Sequence, residues 1–76
     1  MSRNLRELGI KRREQIYQFI IKYINDMGYS PTVREIGKAV GLKSSSSVYS
    51  HLTQLEIEGR IETKPNSPRT IRIIKK

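Results

Sequence analysis

The segment TVREIGKAVGLKSSSSVYSHLTQLEIEG, residues 32–59, predicts two helices joined by a tight turn. Thr32 and Glu35 have the spacing of a capping box, in which each side chain accepts a backbone N–H at the start of a helix. Gly41 suits the left-handed residue that ends a helix. The core-facing residues of this predicted helix are Ile36, Ala39 and Val40. With about eight residues, the helix depends on its neighbours for stability.

The serine run at residues 44–47 has the composition of a flexible linker. Val48, Leu52 and Leu55 follow it at i, i+4 and i+7, which is the spacing of one helix face. We therefore place the serines at the N-cap and first turn of a helix over about residues 45–58. A short helix, a turn near a glycine and a second helix make a helix-turn-helix.

Upstream, apolar residues recur with helical spacing and predict a first helix that stops at Gly28. The positions on this stripe are Ile16, Phe19, Ile20, Tyr23, Ile24 and Met27. The start of this helix lacks a good side-chain cap. We expect residues 1–9 to form a poorly ordered N-terminal extension, in which residues 4–8 make one turn or none, and we place the domain at residues 10–76.

Downstream, the pattern changes to that of a β-hairpin. Residues 60–63 form a short extended run, residues 64–68 have turn chemistry, and residues 69–74 alternate between apolar and polar side chains. Ile71 and Ile73 are expected to cover the helices, with Thr70 and Arg72 pointing outward. The predicted fold class is mainly α, with three helices and a small antiparallel β-hairpin.

Composition limits the chain to one small core and excludes several classes of protein. With 76 residues and no cysteine, it has no disulfide and no thiolate metal site. The longest purely apolar run, residues 19–21, is far too short for a membrane span. The formal net charge of +8 lies at the two ends of the chain, around a neutral centre. This distribution favours nucleic acid as a partner, then anionic lipid; basic tails kept for solubility are the alternative.

The third predicted helix presents small hydroxyl groups opposite its apolar face. This outward face collects Ser46, Ser50, Thr53 and Ile57, with Ser47, Tyr49 and Gln54 beside it. Because no acidic residue precedes Glu56, the helix can approach phosphates and base edges closely. The residues themselves therefore indicate base contacts from Ser46, Ser47, Tyr49 and Ser50. The alternatives are helix capping for the serines and packing against the hairpin for Tyr49.

Basic side chains flank this helix and are predicted to contact the DNA backbone, which positions a protein without identifying sequence. They are Arg12, Arg13, Arg34, Lys43, Lys64 and Arg69. Ordinary solvent-exposed cations are the alternative for any one of them. His51 is the only histidine and forms neither a triad nor a metal site. Lys43 beside Ser44 has nothing nearby to desolvate it, so we expect no catalytic residue, no metal and no cofactor.

Several segments, in this order and spacing, resemble the N-terminal DNA-binding domain of the LexA repressor family over about residues 10–74. They are SPTVREIG at 30–37, VGL at 40–42, SSSSVYSHL at 44–52, LE at 55–56, Gly59 and PRTIRI at 68–73. The serine-rich helix start is similar to Gram-positive versions.

This resemblance implies a three-helix winged helix-turn-helix, with a recognition helix at about 45–58 in the major groove and a wing at about 61–74 on the backbone. The family's base-contacting positions fall on Ser44, Ser46, Ser47, Tyr49 and Ser50. The residues that we assign to the DNA backbone are Arg34, Lys43, Ser45, Thr53, Lys64 and Arg69.

The resemblance also implies repression of DNA-damage (SOS) response genes through a palindromic duplex operator with half-sites like GAAC and GTTC. It implies a cytoplasmic, nucleoid-associated protein with no membrane partner. The family dimerises mainly through a C-terminal domain that carries a Ser-Lys dyad, and this chain stops at Lys76 before such a domain. The chain is then either a fragment or a stand-alone small regulator. We expect it alone to bind weakly as a monomer, because joining two domains raises avidity by roughly 100- to 10,000-fold.

A winged-helix protein-interaction module remains the alternative function, because a fold does not determine a function. RNA binding is less favoured, since only one Phe and no aromatic stacking platform is visible. The DNA-binding interpretation requires that the hydroxyl-lined side of residues 46–53 face outward, uncovered by the hairpin or the N-terminal segment.

Overall fold

The structure is a computed structural model that describes residues 5–64 and 67–75. Its elements are α1 (Leu5–Met27), α2 (Val33–Val40), α3 (Ser45–Ile57), β1 (Ile61–Glu62) and β2 (Arg72–Ile73). The two strands pair antiparallel, with Ile61 opposite Ile73. Three helices and an antiparallel strand pair confirm the predicted class and agree with a winged helix-turn-helix. Within the described ranges, no helix is long and apolar enough to cross a membrane.

The first helix of the helix-turn-helix has the predicted caps. Thr32 Oγ1 accepts the backbone N–H of Glu35 at 3.2 Å, and Glu35 Oε1 accepts the N–H of Thr32 at 2.8 Å. Gly41 has φ 76°, the left-handed conformation that glycine adopts without strain. Inside α2, a Cβ on Gly37 would lie 2.9 Å from the backbone oxygen of Leu42. The turn between α2 and α3 is therefore packed directly on the α2 backbone.

The core joins all three helices to the strand pair. Its buried apolar residues are Ile16, Ile20, Ile36, Val48, Leu52, Leu55, Ile61 and Ile71. Two residues predicted to face the core are exposed instead. Ala39 lies away from the buried face of α2, which passes through Ile36 and Gly37. Met27 is 54% exposed at the last residue of α1, where the chain turns away from the helix direction.

The first helix is longer than the sequence predicted. Helix α1 continues back to Leu5, so residues 5–9 are helical rather than an irregular extension. Leu, Arg and Glu favour helix, which outweighs the cost of the single Gly9. Residues 1–4, where the rest of the expected extension falls, lie outside the described residues.

The second strand is shorter than predicted, because Arg69 has φ 56° and the backbone N–H of Ile71 donates to the Ser30 hydroxyl rather than to β1. The described residues between the strands, 63–64 and 67–71, are here called the wing loop; residues 65–66, in the predicted turn, lie outside the described ranges. Thr70 Oγ1 accepts the N–H of Lys64 at 3.1 Å and is 3.0 Å from the backbone oxygen of Ser67. These bonds leave Thr70 half-buried instead of pointing outward. As predicted, Ile71 is buried and Arg72 is exposed.

Candidate nucleic-acid interface

The outward face of α3 carries the predicted hydroxyl groups. Ser46, Ser50 and Thr53 are exposed, and Tyr49 is 56% exposed, while the opposite side of the helix is buried. Ser47 is half-buried, between the two faces. Neither the wing loop nor α1 covers this surface over the described residues. The orientation required by the DNA-binding interpretation is confirmed.

The N-terminus of α3 differs from that of α2 in how its backbone is capped. Ser44 is the N-cap residue of α3, but its side chain makes no capping hydrogen bond. Its hydroxyl lies 2.9 Å from that of Ser46, and both side chains are exposed, as is that of Ser45. The Ser44 hydroxyl therefore does not cap α3, which was the alternative role for these serines. The first-turn N–H groups and the helix dipole favour anions at this end.

An open cleft of about 670 Å³ separates α3 from the wing loop. Tyr49 and Thr53 lie on its α3 wall, and Lys64 lies on the wall formed by the wing loop. Arg34 contributes from the first turn of α2. Tyr49 thus lines an open space, which disfavours the alternative that its ring is packed away against the hairpin.

Cations surround this face, and the helix start carries no acid. Arg34, Lys43 and Lys64 are exposed, and the first turn of α3 contains no acidic residue. Glu56 also lines the cleft, at the far end of α3. The N-terminal half of α3, the part assigned to base contacts from the sequence, is therefore free of the negative charge that Glu56 brings near its other end.

Comparison with known proteins agrees with this geometry. The sequence profile of the LexA DNA binding domain matches residues 6–70. This chain belongs to the LexA DNA-binding domain family. It is 51% identical over 70 residues to the LexA repressor of Staphylococcus epidermidis, which covers 92% of this chain and 34% of that protein. The predicted resemblance is confirmed.

Two further LexA repressors show the same pattern. The relative from Listeria welshimeri is 52% identical, and that from Geobacillus is 53% identical, each over 64 residues. Each alignment covers 84% of this chain and 31% of the relative. The chain thus spans about a third of the length of the curated relatives that it matches.

In this LexA-family domain, Arg69 is engaged by its own protein. Its two terminal nitrogens lie 3.1 and 3.2 Å from the two carboxylate oxygens of Glu35. The same guanidinium donates to the Tyr23 hydroxyl and the Ser30 carbonyl, and lies 4.9 Å from the ring centroid of Tyr29. Sequence analysis placed Arg69 on the DNA backbone and missed these contacts. The only sequence signal was the capping-box spacing of Glu35, which predicts a local role.

Hydrogen bonds hold the Glu35 carboxylate in its charged form. The backbone N–H of Thr32, followed by the Arg69 guanidinium and the Tyr23 hydroxyl, lowers the pKa of Glu35 below its ordinary value. The ion pair with Arg69 is therefore present throughout the neutral range. Glu35 at once caps α2 and holds a residue of the wing loop.

The two arginines at residues 12–13 also have partners within the domain. Arg12 donates to the backbone oxygen of Val40, and Arg13 pairs with Glu58 at 3.7 Å. His51 is half-buried close to them, and burial, then the charges of Arg13 and Arg12, lowers its pKa. These contacts tie α1 to the ends of α2 and α3.

A second arginine cluster, also missed from the sequence, joins α1 to the chain just before β1. Arg60 forms two hydrogen bonds to the Glu14 carboxylate, at 3.0 and 3.3 Å. Its guanidinium carbon lies 3.8 Å from the ring centroid of Tyr17, in a cation–π contact. This cluster lies away from the outward face of α3 and supports the fold.

Proposed function

We propose that this chain binds duplex DNA sequence-specifically, as the DNA-binding part of a repressor of the SOS response in the bacterial nucleoid. The observation that carries the proposal is the exposed, hydroxyl-lined and initially acid-free face of α3, between exposed cations and beside an open cleft. An α-helix with small side chains fits the major groove. Membership of the LexA DNA-binding domain family supports the same conclusion.

In this proposal the N-terminal half of α3 contacts base edges, and the residues around it contact phosphates. Serine hydroxyls both donate and accept, and a tyrosine ring can contact a thymine methyl group. The proposed base contacts are Ser44, Ser46, Ser47, Tyr49 and Ser50. The proposed backbone contacts are Arg34, Lys43, Ser45, Thr53 and Lys64. Arg69, which the sequence also suggested, is treated separately below.

The proposed operator is palindromic, with half-sites like GAAC and GTTC, and each domain occupies one half-site. The relatives are named as repressors and are about three times as long as this chain. We propose that dimerisation depends mainly on a region outside the matched DNA-binding domain. The domain alone then binds one half-site weakly, without the roughly 100- to 10,000-fold gain that a linked partner provides.

A fluorescence anisotropy titration of the 76-residue chain tests this proposal. One labelled duplex contains GAAC, and a second has the same composition in scrambled order, both at about 100 mM salt, where phosphate contacts are still strong. We expect about 10-fold or greater preference for the first, because each altered base pair typically costs about 1–3 kcal/mol. Equal affinities would contradict sequence-specific binding.

Repeating this titration at several salt concentrations tests the alternative of a protein-interaction module. Ile57, 72% exposed on the outward side of α3, is the observation that favours this alternative. DNA binding that weakens steeply with salt supports our proposal, because phosphate contacts release counterions. No binding to any nucleic acid would support the protein-interaction module.

A further inference from the structure

Arg69 and its four partners form a cluster that connects separate parts of the chain. The cluster comprises Arg69, Glu35, Tyr23, Tyr29 and Ser30, and we call it the Arg69 cluster. Tyr23 belongs to α1, Tyr29 and Ser30 to the α1–α2 link, and Glu35 to the first turn of α2. Only Arg69 comes from the wing loop. The cluster therefore attaches the wing loop to the first helix of the helix-turn-helix.

The wing loop needs this attachment, because its own secondary structure is minimal. Strands β1 and β2 have two residues each, and so short a pair is not stable by itself. Besides the bonds of Thr70 and Ser67 within the loop, residues 67–71 are held by the burial of Ile71 in the core, the Ile71–Ser30 bond and the contacts of Arg69. The cleft beside Tyr49 is therefore bounded by a wall whose position depends on Glu35 and Arg69.

The geometry of the pair favours a positioning role. A guanidinium that meets both oxygens of a carboxylate is held in one orientation, more rigidly than a single-point ion pair. Glu35 is itself fixed by its bond to the Thr32 backbone. Hydrogen bonds to Glu35, Tyr23 and the Ser30 carbonyl already engage both terminal nitrogens of Arg69, so the guanidinium cannot turn both of them toward a phosphate without leaving these partners.

We propose that Arg69 is a positioning residue: its fork with Glu35 docks the wing loop at the distance from α3 at which Lys64 can contact DNA. The inference rests on the proposed DNA-binding function. Docking before binding raises affinity because the loop need not be ordered on the DNA. Apparent affinity then scales with the fraction of molecules whose wing loop is docked.

Glu35→Gln is the informative variant. Glutamine at this position retains the capping box, so the substitution removes the charge that holds Arg69 while leaving α2 capped. It also removes a negative charge from a DNA-binding surface, which by electrostatics alone strengthens binding. If the wing loop must be docked, the same substitution weakens binding. The two explanations thus predict opposite signs.

Arg69→Lys is the companion variant, since it keeps the cation but not the two-point contact with the carboxylate. Arg72 and Glu62 provide a matched control pair. They face each other across β1 and β2 on the exposed side of the wing and form another Arg–Glu ion pair. Arg72→Lys and Glu62→Gln make the same chemical changes outside the Arg69 cluster.

We expect Glu35→Gln and Arg69→Lys each to weaken binding to the GAAC duplex by about 3- to 10-fold, if the docked fraction falls to roughly a third to a tenth. The slope of log affinity against log salt stays the same, because the molecules that bind still have a docked wing loop and keep the Lys64 phosphate contact. The control variants keep an affinity for the GAAC duplex within about two-fold of the wild-type value, as expected for exposed ion pairs. Tighter binding by Glu35→Gln, with Arg69→Lys unchanged, would overturn the proposal and assign Arg69 to a phosphate.

A second measurement needs no DNA. Amide hydrogen exchange at Ile71 reports whether its N–H remains bonded to Ser30. Glu35→Gln and Arg69→Lys are expected to speed this exchange in the free protein, while amides in the middle of α3 keep their rates. Unchanged exchange at Ile71 would reject the docking role even if the wild-type chain failed to discriminate between duplexes, which separates this failure from that of the proposed function.

Discussion

The hydroxyl of Ser30 accepts the backbone N–H of Ile71 at 3.2 Å, across 41 positions of sequence. Ser30 is 4% exposed and Ile71 is 8% exposed, so this hydrogen bond lies inside the protein. It joins the link between α1 and α2 to the residue that leads into β2. The position of the wing is therefore determined partly by a residue outside it.

Ser30→Ala should lower the free energy of unfolding by about 1–3 kcal/mol, because the substitution leaves a buried backbone donor without an acceptor. Urea unfolding monitored by circular dichroism measures the loss. Ser67→Ala is the control, since Ser67 is exposed, and its effect should stay within about 0.5 kcal/mol. Equal effects of the two substitutions would show that the Ser30–Ile71 bond contributes no stability.

Gly37→Ala should destabilise the domain, although alanine favours helix by up to about 1 kcal/mol over glycine. The added Cβ would lie 2.9 Å from the Leu42 oxygen and 3.4 Å from Val48 Cγ2, so backbone must shift, at a cost of about 1–3 kcal/mol. Gly9→Ala is the matched control in α1, where nothing lies within 4 Å of the new atom. Thermal unfolding should show increased stability for Gly9→Ala and decreased stability for Gly37→Ala. A change of the same sign in both would refute the close approach of the Leu42 oxygen to Gly37.

Tyr49→Ala and Lys64→Gln should affect DNA binding in different ways. Loss of a base contact at Tyr49 should reduce discrimination between the GAAC and scrambled duplexes by about 1–3 kcal/mol. Loss of a phosphate contact at Lys64 should weaken binding to both duplexes alike. It should also reduce the slope of log affinity against log salt by about 0.9.

Lys22→Gln is the control for the loss of charge in that experiment, because Lys22 is exposed on α1 and pairs with Asp26. It should leave discrimination unchanged and alter affinity less than Lys64→Gln does. The two assignments would be reversed if Lys64→Gln lost affinity only for the GAAC duplex, or if Tyr49→Ala lost affinity equally for both duplexes.

Stability should depend on pH through His51. Burial and the nearby charges of Arg13 and Arg12 hold its folded-state pKa below the ordinary value of 6.5. Below pH 6.5 the unfolded chain therefore takes up a proton more readily than the folded domain, and stability falls as pH drops toward the folded-state pKa. Urea unfolding at about pH 7.5 and pH 5.5, on either side of the ordinary histidine value, measures this decline.

His51→Gln should remove the part of the decline that His51 causes. The carboxylates of Glu14 and Glu35, whose pKa values are lowered by their hydrogen bonds, lose their contribution only below about pH 4.5, in a separate window. An unchanged pH profile in His51→Gln would show that another group is responsible.

Sequence alone predicted the parts of the domain that depend on neighbouring residues. The capping box of Thr32 and Glu35, the left-handed Gly41 and the buried positions Val48, Leu52 and Leu55 follow from spacings of three to seven residues. Helix hydrogen bonds and caps form within one or two turns, so their signals lie close together in the chain. The outward face of α3 followed because burial of one side exposes the other.

Tertiary structure decided how these elements are held against one another. Arg69 meets Glu35 across 34 positions, and Arg60 meets Glu14 across 46. No local spacing indicates such pairs, because an exposed cation has the same sequence signature whether it contacts DNA, solvent or its own protein. The local pattern determined three helices and an outward hydroxyl-lined face. Packing alone determined that the wing loop is fastened to α2, because the three-dimensional path of the chain selects which distant charges meet.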